Sequence, residues 1–147
     1  MAVRYRHTQR GTLMVAASLA AAALSGSMGY LNPLSSVRLP LGVVAIGFAV
    51  MAWLFSSLTV EVNEHEVSWH FGPGIWKYQI ALAEIEYIQA VRNNWANGFG
   101  IRMRPGFRLY NVSGLDAVEL RLKTGDVRRI GTDDAHGLAA ILRRPAR

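Results

Sequence analysis

Two uncharged apolar stretches at the front of the chain restrict its fold more than any other feature. The first runs from Thr12 to Leu31 and the second from Leu39 to Leu58. A helix that crosses a bilayer needs about 20 mostly apolar residues, because the hydrocarbon core is about 30 Å thick and a helix rises about 1.5 Å per residue. The sequence therefore predicts transmembrane helix 1 at 12–31, a short connector at 32–38 and transmembrane helix 2 at 39–58.

The charged residues are unevenly divided between this front part and the rest of the chain. All ten acidic residues lie from Glu61 onward, together with twelve of the 16 lysines and arginines. The four remaining basic residues are Arg4, Arg6, Arg10 and Arg38. Positive charge beside a membrane segment tends to stay in the cytoplasm. We therefore expect a basic cytoplasmic N-terminus at 1–11, an external connector and a cytoplasmic domain at 59–147.

A cleaved signal peptide is the alternative interpretation of the first apolar stretch. A basic start, an Ala-rich core and the small residues Ser25, Gly26 and Ser27 resemble that pattern. In that case the second stretch would be a lone anchor and the domain would lie on the other side of the membrane. The two-pass hairpin is favoured because the apolar length exceeds the usual 7–15-residue signal core.

From Thr59 onward, short runs of alternating apolar and polar residues predict a β-rich domain. The runs are TVEV, VSWHF, IWKYQI, IEYIQAVR, IRMR, FRLYNV, AVELRLK and VRRI. In the last run Arg128 shares a face with Ile130, so either a bulge redirects this charge or that end of the strand is exposed. A helix is expected from Asp133 to Leu142, with Thr132 as its N-cap. The pattern indicates a small bent sheet or barrel closed at one end by a helix.

Four blocks of this domain carry a resemblance to a known family. They are FGPGIWKYQIALAEIEYIQAV, GFGIRM, LYNVSGLDAVELRLKTG and IGTDDAHGLAAIL. The segment from Leu58 to the C-terminus resembles the bacterial PH-like (pleckstrin-homology-like) domain family, in particular small membrane proteins in which two transmembrane helices precede one such domain. The resemblance implies a membrane-anchored α+β protein of the bacterial inner membrane. Its domain would be a bent, antiparallel sheet of about seven strands with a C-terminal capping helix, and Arg128 replaces an expected apolar residue.

Residue types that often carry chemistry do not form a catalytic or metal-binding pattern in this sequence. The absence of cysteine excludes disulfides, Cys–zinc sites and thiol chemistry. His65 falls in a predicted turn and His70 on a predicted strand, which favours surface positions over metal ligands. Helix capping explains Asp133 and Asp134. The resemblance likewise implies no catalytic residues, so we expect a non-enzymatic domain without cofactor or metal.

One stretch combines aromatic and basic side chains and is the candidate contact surface for a lipid or partner. Its members are Trp95, Phe99, Arg102, Arg104, Phe107 and Arg108. Membrane-surface binders place rings at the headgroup level and arginines on anionic phosphates. Single-strand nucleic-acid binders use a similar mixture, but the anchor favours lipid and we expect no nucleic-acid partner. A basic face near an anionic bilayer without a specific ligand is the simplest interpretation, since each Lys or Arg gains only about 1 kcal/mol there.

Three functions agree with these features. The first is a non-enzymatic, membrane-tethered interaction or scaffold module, with a protein partner or a second copy of the chain. The alternatives are an anionic-lipid-sensing domain and an accessory subunit of a transporter or membrane enzyme. An accessory role would require a partner, because two helices without an intramembrane charge do not readily form an ion path alone.

Reporter proteins fused after Arg147 test the two-pass topology. We expect a fluorescent protein to be bright and alkaline phosphatase to be inactive at this position, because a helical hairpin returns the chain to the cytoplasm. Fusions in the connector, after Leu34, serve as the control and are expected to show the reverse. Phosphatase activity of the C-terminal fusion would contradict the hairpin.

Overall fold

The computed structural model describes residues 3–97 and 99–144, without the side chain of Asn97. The first two residues of the expected N-terminal segment, Gly98 of the aromatic–basic stretch and residues 145–147 of the expected domain lie outside the described part. The elements follow one another as β1 (Tyr5–Arg10), α1 (Thr12–Leu31), α2 (Ser35–Leu54), β2 (Ser57–Val62), β3 (Glu66–Phe71), β4 (Lys77–Ala81), β5 (Ile85–Arg92), β6 (Gly100–Arg104), β7 (Phe107–Asn111), β8 (Asp116–Leu122), β9 (Val127–Gly131) and α3 (Ala135–Arg143).

Helices α1 and α2 pack side by side as a hairpin and are each long and apolar enough to cross a membrane. Only 11% of the apolar window of α1 and 6% of that of α2 is buried. A core helix of a water-soluble fold would be mostly covered, so this exposure is compatible with transmembrane segments. Helix α1 has the predicted bounds. Helix α2 begins and ends four residues before the predicted 39–58, because Ser57 and Leu58 belong to β2.

The first sheet contains a strand that the sequence did not predict. Its order is β1-β2-β3-β4, and all its pairs are antiparallel. Strand β1 lies in the segment expected to be only a basic tail, and it pairs with β2 from Tyr5↔Val62 to Arg10↔Ser57. The Gly11 amide donates a hydrogen bond to the Ser56 carbonyl at 2.8 Å and continues this ladder to the helices. Both ends of the helical hairpin therefore enter the same sheet.

The second sheet corrects the expected wholly antiparallel arrangement. Its order is β5-β8-β9-β7-β6, and β7 runs parallel to β9. In this order β9 lies between β8 and β7. The tight turn after β8 makes β9 antiparallel to β8, and β9 runs parallel to β7. The predicted single sheet or barrel of about seven strands is wrong as well. Nine strands in the described residues form two sheets, neither of them closed.

The hydrophobic core lies between the two sheets and against one side of α3. It includes Val67 and Trp69 from the first sheet, Val118 and Ile130 from the second, and Leu138 from the helix, each no more than 2% exposed. Alternation along the strands explains this arrangement, since every second residue points to the same face. Burying each large apolar side chain contributes about 1.5–3 kcal/mol.

Helix α3 begins two residues after the predicted start, and Asp134 rather than Thr132 caps it. The Asp134 carboxylate accepts a hydrogen bond from the Gly137 amide at 3.1 Å. The Thr132 hydroxyl instead accepts from the Asp134 amide. The Tyr5 hydroxyl donates to the same Asp134 carboxylate at 2.8 Å. Burial and this hydrogen bond raise the pKa of Tyr5, so β1 and α3 are joined by a neutral donor at neutral pH.

The substitution Gly11→Ala tests the junction between sheet and hairpin. A Cβ at this position would overlap the Phe55 carbonyl oxygen, and forced overpacking typically costs about 1–3 kcal/mol. We expect a lower midpoint of thermal unfolding for the full-length protein in detergent. Gly42→Ala is the matched control, because a Cβ there meets nothing within 4 Å. Equal midpoints for the two variants would show that the junction is not tightly packed.

Candidate functional site

Contacts with the helical hairpin define which end of the second sheet lies beside it. Gln9 donates to the Ser113 carbonyl at 2.8 Å, and the Thr12 hydroxyl lies 3.4 Å from the Ser113 hydroxyl. A Cβ on Gly100 would lie 3.9 Å from the Met14 Cε atom. We call this the hairpin end of the domain. The opposite, distal end contains the β6–β7 and β8–β9 turns.

The candidate contact residues are distributed between these two ends. Trp95 lies in a short 3-10 turn at the hairpin end and is 77% exposed, and Phe99 directly precedes β6. Strand β6 then leads away from the hairpin, so Arg104 lies about 13 Å further along than the start of the strand, at about 3.3 Å per residue. Phe107 and Arg108 open β7 at the distal end. The six residues therefore do not form one continuous patch.

The strand register also divides them between two faces of the sheet. Arg102 is paired with Leu109 and Arg104 with Phe107, so these side chains share the outer face. Arg108 is paired with Met103 and shares the inner face with the core residue Tyr110. This division follows from the two-residue period of a strand. Contact of these six residues with a lipid or a partner stays a prediction.

The Phe107 ring contacts the arginine of an ion pair that sequence reasoning missed. Arg129 donates to Glu119 at 2.7 Å and to the Asn93 side chain at 3.0 Å. Its guanidinium lies 5.3 Å from the centre of the Phe107 ring. Glu119 and Arg129 are cross-strand partners on β8 and β9, and knowledge of that register would have identified the pair. The geometry gives Phe107 a structural contact on the outer face.

Exposed aromatic and aliphatic side chains that the sequence reasoning did not single out also lie at the hairpin end. Ile75 and Trp76, in the loop between β3 and β4, are 57% and 54% exposed. The loop rests on the end of α2, since a Cβ on Gly72 would crowd the Leu54 carbonyl oxygen. We call Ile75, Trp76 and Trp95 the apolar rim. Large exposed apolar side chains at one end of a domain are typical of surfaces that contact a membrane or a partner.

Two cavities lie beside edge strand β4, on the side of the domain where it faces the second sheet. The first has a volume of about 350 Å³ and an almost wholly apolar lining: Met51, Leu54, Phe55, Phe71, Trp76, Tyr78 and Ile101. The second has a volume of about 240 Å³ and lies further from the hairpin. Its lining includes Trp69, Tyr78, Glu84, Arg108, Tyr110 and Arg128. Tyr78 is common to both.

The second cavity explains the position of Arg128, which stood out in the sequence. Strand β9 keeps a regular register here, and the Arg128 side chain is only 13% exposed, so neither a bulge nor an exposed strand end accounts for it. Its guanidinium pairs with Asp126 at 3.0 Å. Arg108 lies directly beside it in the β7–β9 register. Two cations are therefore neighbours at the wall of one cavity.

Other polar groups of this cavity are incompletely paired. Arg108 is exposed and forms no ion pair with a carboxylate in the described part of the chain. The Trp69 indole N–H is buried and has no acceptor among the described residues, although a buried donor normally has one. Burial raises the pKa of the Tyr78 hydroxyl, which keeps it protonated at neutral pH. The cavity thus presents the donors of Arg108 and Trp69 without a protein acceptor in the described part of the chain, while Gln79 and the carboxylate of Glu84 also line it.

The histidines and acidic residues considered as catalytic or metal candidates do not gather in one place, although Asp133 and His136 line one cavity of about 300 Å³. His7 pairs with Asp133, and Asp134 caps α3. His65 is exposed in the turn between β2 and β3, whereas His70 lies on β3. Among residues 3–97 and 99–144, no group of three metal-ligating side chains is close enough to hold an ion.

Comparison with known proteins gives no assignment. No protein-family model matches the chain, and no match was found among curated proteins or solved structures. The resemblance to the bacterial PH-like family therefore stays a prediction from the sequence.

Single-tryptophan variants in bilayers test whether the apolar rim contacts lipid. We expect variants that retain only Trp76 or only Trp95 to be quenched by lipids brominated near the headgroup, because both rings are exposed at the hairpin end. The variant that retains only Trp69 is the control, since this ring is 2% exposed in the core. Strong quenching of Trp69 would contradict this orientation, and so would the absence of quenching for both Trp76 and Trp95.

Proposed function

We propose that this chain is a non-enzymatic, membrane-tethered PH-like interaction or scaffold module at the cytoplasmic face of the bacterial inner membrane. The observation that carries the proposal is the ladder between β1 and β2. One strand precedes the helical hairpin and the other follows it, and they pair over six residues each. The folded domain thus holds both ends of the hairpin on one side.

The same ladder supports the hairpin over a cleaved signal peptide. Cleavage after the first apolar stretch would remove β1 and leave β2 as an unpaired edge. It would also remove Gln9, which is buried and bonded to the Ser113 carbonyl. Arg4, Arg6 and Arg10 precede the hairpin on the domain side, while Arg38 alone lies at its other end. This imbalance supports a cytoplasmic domain by the positive-inside rule.

A fixed orientation of the domain supports a scaffold role. Only Gly11 separates β1 from α1, and only Phe55 and Ser56 separate α2 from β2. Such short connections restrict rotation of the domain relative to the helices. The domain therefore presents the same surfaces at a fixed distance from the membrane. The outer edges of β4 and β6 have no neighbouring strand among residues 3–97 and 99–144, so a partner could add a strand there.

The non-enzymatic part of the proposal is supported by the structural use of the ionisable side chains. Glu119 pairs with Arg129, Arg6 with Glu61 and Arg92 with Asp116. Each pair joins neighbouring strands. Arg92 and Asp116 also line a cavity of about 300 Å³ with Asp133 and His136, and there too the acidic side chains are engaged, since Asp133 pairs with His7. Anionic-lipid binding is the alternative with a specific observation in its favour, namely the cavity beside Arg108.

Photocrosslinking in living cells tests the interaction role. A photoreactive amino acid replaces Met103, which is 60% exposed on edge strand β6, or Gln79 on edge strand β4. We expect a discrete adduct with one protein, or with a second copy of the chain, because a scaffold holds its partner at a defined edge. The same amino acid at Lys123, in the exposed distal turn, is the control.

Two results would contradict the proposal. The absence of any adduct at both edges would argue against an interaction module. Release of the full-length chain from membranes by alkaline carbonate would argue against an integral tether.

A further inference from the structure

The open side of the domain contains a cleft formed by the two cavities beside β4: the first is bounded by β4 and β6, and the second by β4, β7 and β9. The edge strands β4 and β6 belong to different sheets and do not pair with each other. Tyr78 forms a wall of both cavities, so they adjoin along its ring. The cleft therefore has a hairpin half and a distal half of different chemistry.

The hairpin half is suited to hydrocarbon. Met51 and Leu54 from the last turns of α2 and Phe71 from β3 form part of its lining. Its volume of about 350 Å³ lies within the range of small-molecule sites. Since α2 ends at this cavity, its opening lies beside the end of the proposed transmembrane helix, where an acyl chain would leave the bilayer.

The distal half is suited to an anionic group. Arg108 has no carboxylate partner in the described part of the chain and shares the wall with Arg128. The buried indole N–H of Trp69, which is 2% exposed and lines the same cavity, needs an acceptor. Two carboxylates limit the positive field: Asp126 is paired with Arg128, and Glu84 lies exposed at the rim. Arg108 is then the cation that an incoming oxyanion would meet.

The order of the two halves matters as much as their chemistry. The apolar half adjoins the hairpin and the cationic half lies further out, in the direction that a lipid would follow if it rose from the bilayer head first. We propose that the cleft binds a single-chain anionic lipid, with its acyl chain in the hairpin half and its headgroup oxygens at Arg108. The ligand reaches the cleft from the bilayer, so the inference rests on the proposed membrane tether.

Titration with a single-chain lipid tests the cleft. Full-length protein in a neutral detergent is titrated with oleoyl lysophosphatidic acid, and bound lipid is counted by native mass spectrometry. We expect one tightly bound molecule and about tenfold weaker binding by the Arg108→Gln variant, because a charge-assisted hydrogen bond to the headgroup is lost. Arg102→Gln, which removes the same charge from the opposite face of the sheet, is the matched control and is expected to bind normally.

Two further titrations distinguish a lipid headgroup from a free anion and test the contribution of the headgroup charge. Inorganic phosphate at the same concentrations is expected not to displace the lipid, and oleoyl lysophosphatidylcholine is expected to bind more weakly, since its headgroup has no net charge. Equal losses of lipid affinity in Arg102→Gln and Arg108→Gln would overturn binding in the cleft and indicate a diffuse electrostatic attraction instead. Efficient displacement by phosphate would overturn the lipid and leave a soluble anion site.

The test also distinguishes a failed cleft from a failed tether. If the chain binds the lipid but is released from membranes by carbonate, lipid binding in the cleft is supported and the proposed membrane tether is contradicted. A chain that resists carbonate but binds no lysophosphatidic acid would overturn the cleft alone. An unchanged thermal midpoint for Arg108→Gln, expected for an exposed side chain, excludes loss of folding as the cause of weaker binding.

Discussion

The pairing of β1 with β2 is the constraint on which the rest of the structure depends. It joins the segment before the helical hairpin to the segment after it, so that two helices and two sheets form one continuous unit. Once β1 is in place, Gln9 reaches the second sheet and Tyr5 reaches the cap of α3. The hairpin is therefore built into the domain rather than attached to it by a linker.

The orientation of the domain follows from that connection. The hairpin end carries the apolar rim, and the distal end carries Arg104, Arg108 and Arg128. Because β4 and β6 each pair on one side only within the described residues, the core stays open beside β4, where the cleft lies. The open edges thus leave the cleft accessible from outside the domain.

Much of the fold could be predicted from local patterns, and the exceptions have physical causes. The uncharged length of α1 and the alternation in β8 depend only on neighbouring residues, and both were predicted closely. Strand β1 was missed because YRHTQR has no apolar alternation and becomes a strand only through the ladder of β2. The candidate contact residues were grouped because they are close in sequence. The register places Arg102 and Arg108 on opposite faces, because a shift of one residue reverses the face of a strand.

The sequence by itself determined the elements: two apolar helices, short strands separated by turn residues, and a terminal helix with acidic residues at its start. These depend on length, periodicity and turn chemistry, which are local properties. Only the tertiary structure decided which strands are neighbours, that β7 runs parallel to β9, and that Arg128 faces a cavity beside Arg108. Such choices depend on contacts between segments far apart in the chain, where the best burial of the whole core outweighs the preference of any single run.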